Sequence, residues 1–121
     1  MTAKALDELT LRMFTGSESY YRNGIVPSVR FTEGAKYVAD AAGAYWLLDE
    51  IALAQRAYNS VRAQPFQVWK LRVFEDRTAS LTCDNGNGRE VFVKAIPWTD
   101  FPRDELSFWF SDDTIYLPSE R

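Results

Sequence analysis

The stretch Phe66-Gln67-Val68-Trp69-Lys70-Leu71-Arg72-Val73-Phe74 decides the fold, because from Pro65 onward the hydrophobic period of the chain changes. Trp69, Leu71 and Val73 fall on one side and Phe66, Val68, Lys70 and Arg72 on the other, the two-residue repeat of a strand with one buried face. Glu75-Asp76-Arg77 makes a turn. Thr78 to Cys83 then alternates Ala79, Leu81 and Cys83 against Ser80 and Thr82, and Arg89 to Ile96 alternates Val91, Val93 and Ala95 against Phe92, Lys94 and Ile96. Asp84-Asn85-Gly86-Asn87-Gly88 lies between them. Those residues accept left-handed backbone angles at low cost, so the two strands are expected to form a hairpin. Pro97-Trp98-Thr99-Asp100-Phe101-Pro102 breaks the ladder, after which Glu105 to Phe110 and Thr114 to Leu117 read as two further strands across the Asp112-Asp113 turn.

Upstream, the period is helical. Thr2 is positioned to cap a helix from about Ala3 to Met13, with Leu6, Leu9 and Met13 on a shared face. Thr15-Gly16-Ser17-Glu18-Ser19, Asn23-Gly24 and Pro27-Ser28 interrupt regular structure through residue 28 and predict an ordered loop, with Val29-Arg30-Phe31 as a short extended piece. Thr32 is a candidate N-cap, and Glu33 in the first turn suits the helix dipole. The apolar positions Val38, Ala41, Tyr45, Leu48 and Ala52 keep helical spacing across Gly43, which is expected to break or kink the helix. These elements predict an α+β fold: N-terminal helices packed on one face of a mainly antiparallel sheet of four or five strands. With 121 residues, the expectation is one domain, 1–121, whose residues 1–62 are mainly helical and 65–118 mainly strand.

Composition narrows the function classes. A hydrophobic fraction of 46%, with 15% aromatic residues, excludes a disordered class. Fourteen basic against 17 acidic residues give a net charge of −3, with Lys and Arg scattered, so no direct binding of duplex nucleic acid is expected. No run approaches the roughly 20 apolar residues of a membrane-spanning helix, and no membrane association is expected. Cys83 is the single cysteine, and Met1-Thr2-Ala3-Lys4 does not resemble a secretory leader, so the expected compartment is the cytoplasm.

The chemical inventory is mostly exclusions. The chain has no histidine, which removes Ser-His-Asp and Cys-His mechanisms and His-ligated zinc. Cys83 falls on the apolar side of its strand and is expected to be buried and inert. Asp84-Asn85-Gly86-Asn87-Gly88 lacks the ligand spacing of a calcium loop, and Gly86 and Gly88 do not open a helix as a phosphate cradle would. No cofactor, metal site or catalytic residue is expected. The remaining carboxylates, Asp49 beside Glu50 and Asp100 near Asp104 and Glu105, would serve acid–base chemistry only if folding held two of them together in a cleft.

Several strings carry a resemblance: Phe14-Thr15-Gly16 with Tyr20-Tyr21-Arg22, Gly43-Ala44-Tyr45-Trp46-Leu47-Leu48-Asp49, Phe66-Gln67-Val68-Trp69-Lys70-Leu71, Asp84-Asn85-Gly86-Asn87-Gly88, Trp98-Thr99-Asp100-Phe101-Pro102 and Leu117-Pro118-Ser119. Over nearly its whole length the chain resembles an uncharacterised family of small bacterial, plasmid and phage proteins. The resemblance implies a mobile-element origin and supplies no activity. A His often follows the Tyr-Tyr-Arg step in that family, and this chain has Asn23 there.

Aromatic density outside regular core positions points to binding. Tyr20, Tyr21 and Arg22 lie in a predicted loop, and Trp98, Thr99, Asp100 and Phe101 in a predicted turn; Tyr, Trp and Arg dominate interface hot spots. The two segments are expected to meet as one contact surface for an unidentified protein partner. The expected function is therefore a non-enzymatic protein-interaction module, an accessory or counter-defence (anti-CRISPR-type) factor of a phage or plasmid. The alternative is a small enzyme or ligand-binding domain using Asp49, Asp100 or Asp104 with Tyr20, Tyr21 and Arg22. A deep pocket uniting those residues would favour the alternative, and a flat aromatic patch the module.

Overall fold

A computed structural model describes residues 6–15 and 19–120. The strand half follows its alternation: β3 (Phe66–Val73), β4 (Ala79–Asp84), β5 (Glu90–Ile96), β6 (Glu105–Ser111) and β7 (Thr114–Tyr116). β3 pairs antiparallel with both β4 and β6, β4 with β5, and β6 with β7. Asp112 and Asp113 both take positive φ, 52° and 58°, the backbone twist that matches two flanking strands in a two-residue turn. Gly86, at φ 87°, lies so close to Phe66 that a Cβ would stand 2.8 Å from its ring, so both conformation and space demand glycine.

The sheet is larger than four or five strands and is not purely antiparallel. It has seven strands in the order β1-β2-β7-β6-β3-β4-β5, including β1 (Tyr20–Arg22) and β2 (Arg30–Thr32). β2 runs parallel to β7, with Arg30 opposite Thr114 and Phe31 opposite Ile115. The fold is α+β, but the expected four- or five-stranded antiparallel sheet is overturned by this mixed, seven-stranded one. The physical reason is that three-residue strands are too short to show a period. They form because the C-terminal β7 offers an edge to Phe31, and Phe31 in turn stacks with Tyr21 at 5.6 Å. The Asn23-Gly24 and Pro27-Ser28 turn residues join β1 to β2, with the Asn23 N–H donating to Val29 O at 2.8 Å.

The helices correct the sequence expectation at one end and match it at the other. α1 spans only Glu8–Arg12, and its N-cap is Asp7, whose carboxylate accepts from the Thr10 N–H at 2.7 Å. The proposed cap at Thr2 and the first turn from Ala3 lie outside the described residues. Leu6 and Leu11 are buried, whereas Leu9 and Met13 are exposed, so the expected Leu6, Leu9, Met13 face is not the packed one. α2 (Glu33–Ala42) starts at Thr32 as expected, with the Thr32 hydroxyl accepting from the Ala35 N–H. Gly43 ends α2 in the left-handed conformation, φ 63°, and α3 (Tyr45–Ala57) follows; α4 (Asn59–Arg62) leads into β3.

Burial along the strands is one-sided. Gln67, Trp69, Leu71 and Val73 of β3, Ala79, Leu81 and Cys83 of β4, and Leu106, Phe108 and Phe110 of β6 are all buried on one face. Val38, Leu47, Leu48, Ile51 and Ala52 of the helices belong to the same cluster. The polar groups in this core are satisfied. The Gln55 and Gln67 amides exchange hydrogen bonds at 2.7 and 2.9 Å, Gln67 also donates to Val61 O, and the Trp69 indole donates to Gln67 Oε1 at 2.9 Å. In β5 a register shift opposite Cys83 and Asp84 brings Val91 against the core with Phe92, so Val91 parts from Val93 and Ala95, with which the alternation grouped it, while Val93 is exposed.

Candidate interaction surface

The two aromatic segments singled out by the sequence do not meet. Tyr20 to Arg22 form β1, one edge of the sheet, and Trp98 to Phe101 follow β5, the opposite edge. The β5–β6 loop is held at the β3–β4 turn, where the Thr99 N–H donates to Arg77 O and the Arg77 guanidinium donates to Thr99 O and Phe101 O. Arg77 adopts a positive φ of 66° there. Phe101 and Thr99 are buried, and the Thr99 hydroxyl accepts from the Phe101 N–H, so these residues anchor their loop. Trp98, 64% exposed, and Asp100 point outward.

Tyr20 joins a different set of residues. Pairing from strand to strand puts Tyr20 and Arg22, Arg30, Thr114 and Tyr116, Trp109 and Ser111, and Phe66, Val68, Lys70 and Arg72 on the face of the sheet opposite the helices. Every residue of β3, β4 and β6 on this face is half-buried or exposed. Four aromatic rings cross it. Phe66 meets Trp109 edge to face at 5.4 Å, Trp109 meets Tyr116 edge to face at 6.3 Å, and the Arg30 guanidinium lies 5.2 Å over the Tyr20 ring. A shallow groove of about 470 Å³, lined by Tyr20, Arg30, Phe66, Ser111, Thr114 and Tyr116, runs between them. Glu120 closes one end; its carboxylate accepts from the Thr32 hydroxyl at 2.6 Å and from the Gly34 N–H, which ties the C-terminal turn (Pro118–Glu120) to the start of α2.

The charge on this face is mixed, with Asp84 of β4 on it and Asp112 and Glu120 lining the groove. Across β1, β2, β7, β6 and β3 its strand residues include Arg22, Arg30, Lys70 and Arg72 against Glu105, on a chain whose net charge is −3. Glu105 lies 3.3 Å from Arg72 and 3.9 Å from Lys70, and the Arg22 guanidinium donates to Pro27 O. Tyr21 points the other way. It stacks on Phe31, with the Lys36 ammonium 5.5 Å from its ring.

The carboxylates considered for acid–base chemistry are not gathered. Asp49 on α3 accepts from the Asn23 amide at 2.9 Å, while Asn23 Oδ1 accepts from the N–H groups of Ile25 and Val26. That makes Asp49 an anchor for the β1–β2 loop, and Asn23 is buried in the same service. Asp100 and Asp104 are exposed in the β5–β6 loop, with the Asp104 carbonyl accepting from the Val73 N–H. Cys83 is fully buried, and that burial pushes its thiol up to about 12. Among the described residues, no three His, Cys, Asp or Glu side chains come together as a metal site, and no helix is long and apolar enough to cross a membrane.

Sequence reasoning missed Arg30, Phe66, Trp109 and Tyr116 as surface candidates. The signal existed in part: Phe66 and Val68 are apolar at positions that the β3 alternation assigns to the side facing away from Trp69. Which strands lie beside β3, and so which rings join Phe66, depends on the strand order.

A model of a family of unknown function (DUF6876) matches residues 6–121. No curated protein and no solved structure matches the chain.

Proposed function

We propose, for a chain that belongs to this family of unknown function, the role of a non-enzymatic protein-interaction module whose contact surface is the open face of its sheet. The observation that carries this reading is the row Tyr20, Tyr116, Trp109 and Phe66 on the face away from the helices, with Arg30 and Arg22 at its end. Tyr and Trp offer large, rigid contact area, and Arg offers paired donors to a carboxylate. The partner is a protein surface that places apolar side chains on the rings and a carboxylate at Arg30.

The shape favours a polypeptide over single-stranded nucleic acid. Successive rings stand edge to face, at interplanar angles of 77° and 85°, so they do not present the parallel platforms on which consecutive bases stack. Glu105 between Lys70 and Arg72 interrupts a cation track, and the net charge of −3 opposes a polyanion at long range. The enzyme alternative needs Asp49, Asp100 or Asp104 in a pocket with Tyr20, Tyr21 and Arg22. Asp49 is engaged with Asn23, and the other two lie in the loop after the opposite edge strand.

A role as an accessory or counter-defence protein of a phage or plasmid, acting in the bacterial cytoplasm, is the setting we propose. Its support is the small acidic chain and the resemblance carried by strings such as Tyr20-Tyr21-Arg22 and Trp98-Thr99-Asp100-Phe101-Pro102.

The test compares capture of bacterial host proteins by the immobilised wild-type chain, by Tyr20→Ala/Arg30→Ala, and by Arg56→Ala on α3 as the off-face control. The expected outcome is a specific protein retained by wild type and Arg56→Ala and weakened by about 1 kcal/mol or more in the double variant, at unchanged melting temperature. Equal capture by all three would remove the open face as the contact surface.

A further inference from the structure

We infer that the β5 edge of the sheet pairs with the β5 edge of a second copy of the chain, forming a two-fold symmetric dimer with one continuous sheet. The inference is independent of the partner proposed above.

Hydrogen-bond parity shows which backbone groups β5 turns outward. The Phe74 N–H donates to Thr78 O at 2.9 Å, so with Val73 opposite Ala79 the pairs that exchange bonds between β3 and β4 are Arg72/Ser80, Lys70/Thr82 and Val68/Asp84. Ala79, Leu81 and Cys83 therefore turn their N–H and C=O groups toward β5, where they face Ile96, Lys94 and Phe92. The same parity is seen at the far end of the hairpin, where the Asn85 N–H donates to Arg89 O. Val93 and Ala95 are left with N–H and C=O directed away from the sheet.

The bulge at Val91 and the charge of Glu90 guard only the start of this edge, and from Phe92 to Ile96 the strand is regular. It is seven residues long, against three for β1 at the other edge, and contains no proline before Pro97. Val93 is 59% exposed at its middle. The one lysine, Lys94, which would ordinarily deter pairing, is held by Glu50 at 2.6 Å.

Self-pairing is favoured over a generic strand because β5 is complementary to itself about Val93. The outward backbone of Val93 meets the same residue of the second copy and can exchange both of its hydrogen bonds with it. In that register Ala95 faces the bulge at Val91, and Phe92 lies opposite Lys94, an aromatic ring beside an ammonium, twice by symmetry. No like charges oppose each other. The two-fold axis of an antiparallel pair is perpendicular to the sheet, so the open faces of both copies lie on the same side and the dimer presents them together.

The test is the mass of the full chain by sedimentation equilibrium over a micromolar concentration series, for wild type and Val93→Lys, with Val93→Cys oxidised as a second measurement. Wild type is expected to be a dimer. Val93→Lys sets two ammonium groups against each other and should weaken association about tenfold or more, while an unchanged melting temperature shows that the monomer still folds. Val93→Cys should give a self-disulfide dimer, because the Cα separation of about 5.5 Å in a hydrogen-bonded antiparallel pair lies in the bridging range; buried Cys83 does not compete. A wild-type monomer throughout the series, or a dimer that Val93→Lys leaves intact and Val93→Cys does not cross-link, would overturn the inference.

Discussion

The two faces of β3 carry different physics within one strand. On the covered face, Gln67, Trp69 and Leu71 are buried beneath the helices, and each polar atom there is bonded to another part of the chain. On the open face, Phe66, Val68, Lys70 and Arg72 are half-buried or exposed, with Phe66 against Trp109 and Lys70 and Arg72 beside Glu105 along the sheet. Burial and satisfaction of polar groups make the first face responsible for stability. Partial exposure of large rings leaves the second with area still to bury, which is the condition of an interaction surface.

Substitutions that contrast the faces should separate these roles. Trp69→Ala removes a fully buried ring and leaves the Gln67 amide oxygen with fewer donors, so a loss of about 3–5 kcal/mol is expected in urea denaturation. A loss below about 1 kcal/mol would mean that the covered face is not the core of the fold. Gln67→Ala strands the Gln55 amide, the Trp69 N–H and the Val61 carbonyl, and about 2–3 kcal/mol should go with them. If that variant matched wild type, the paired amides would be dispensable.

Smaller effects are expected on the open side. Tyr116→Ala truncates a half-buried ring that contacts Trp109 and shares a hydrogen bond with Ser111, and should cost about 1 kcal/mol of stability or less while weakening partner capture. Greater destabilisation with intact capture would transfer Tyr116 to the stabilising set. Glu105→Gln breaks two exposed ion pairs, with Lys70 and Arg72, so its denaturation midpoint should correspond to a change within about 0.5 kcal/mol. A larger change would give the open face a structural role that its exposure does not suggest.

The faces of β3 and β4 were legible from sequence because side chains alternate with a fixed period, and Thr32 and Gly43 were legible because a cap and a left-handed turn each need particular residue types. The short strands were not. Arg30–Thr32 pairs with a β7 far along the chain, which no local window contains, and Tyr20–Arg22 is added as a strand on Arg30–Thr32. Asp7 caps α1, a place that any Asp, Asn, Ser or Thr at a helix start can take, and Leu11 rather than Leu9 faces the core. For the candidate surface, Tyr20 and Trp98 are both exposed, but the residues around them were not readable from sequence. Strand order sets β1 and β5 at opposite edges, and the same order brings Phe66, Trp109 and Tyr116 side by side.

Hydroxyl-radical footprinting of the chain, free and with its captured partner bound, tests the central division between the faces. Tyr20 and Tyr116 should lose reactivity on binding, while Tyr58, exposed on the helical side after α3, should keep it. Loss of reactivity at Tyr58 with Tyr20 and Tyr116 unchanged would place the contact on the helices and contradict the account.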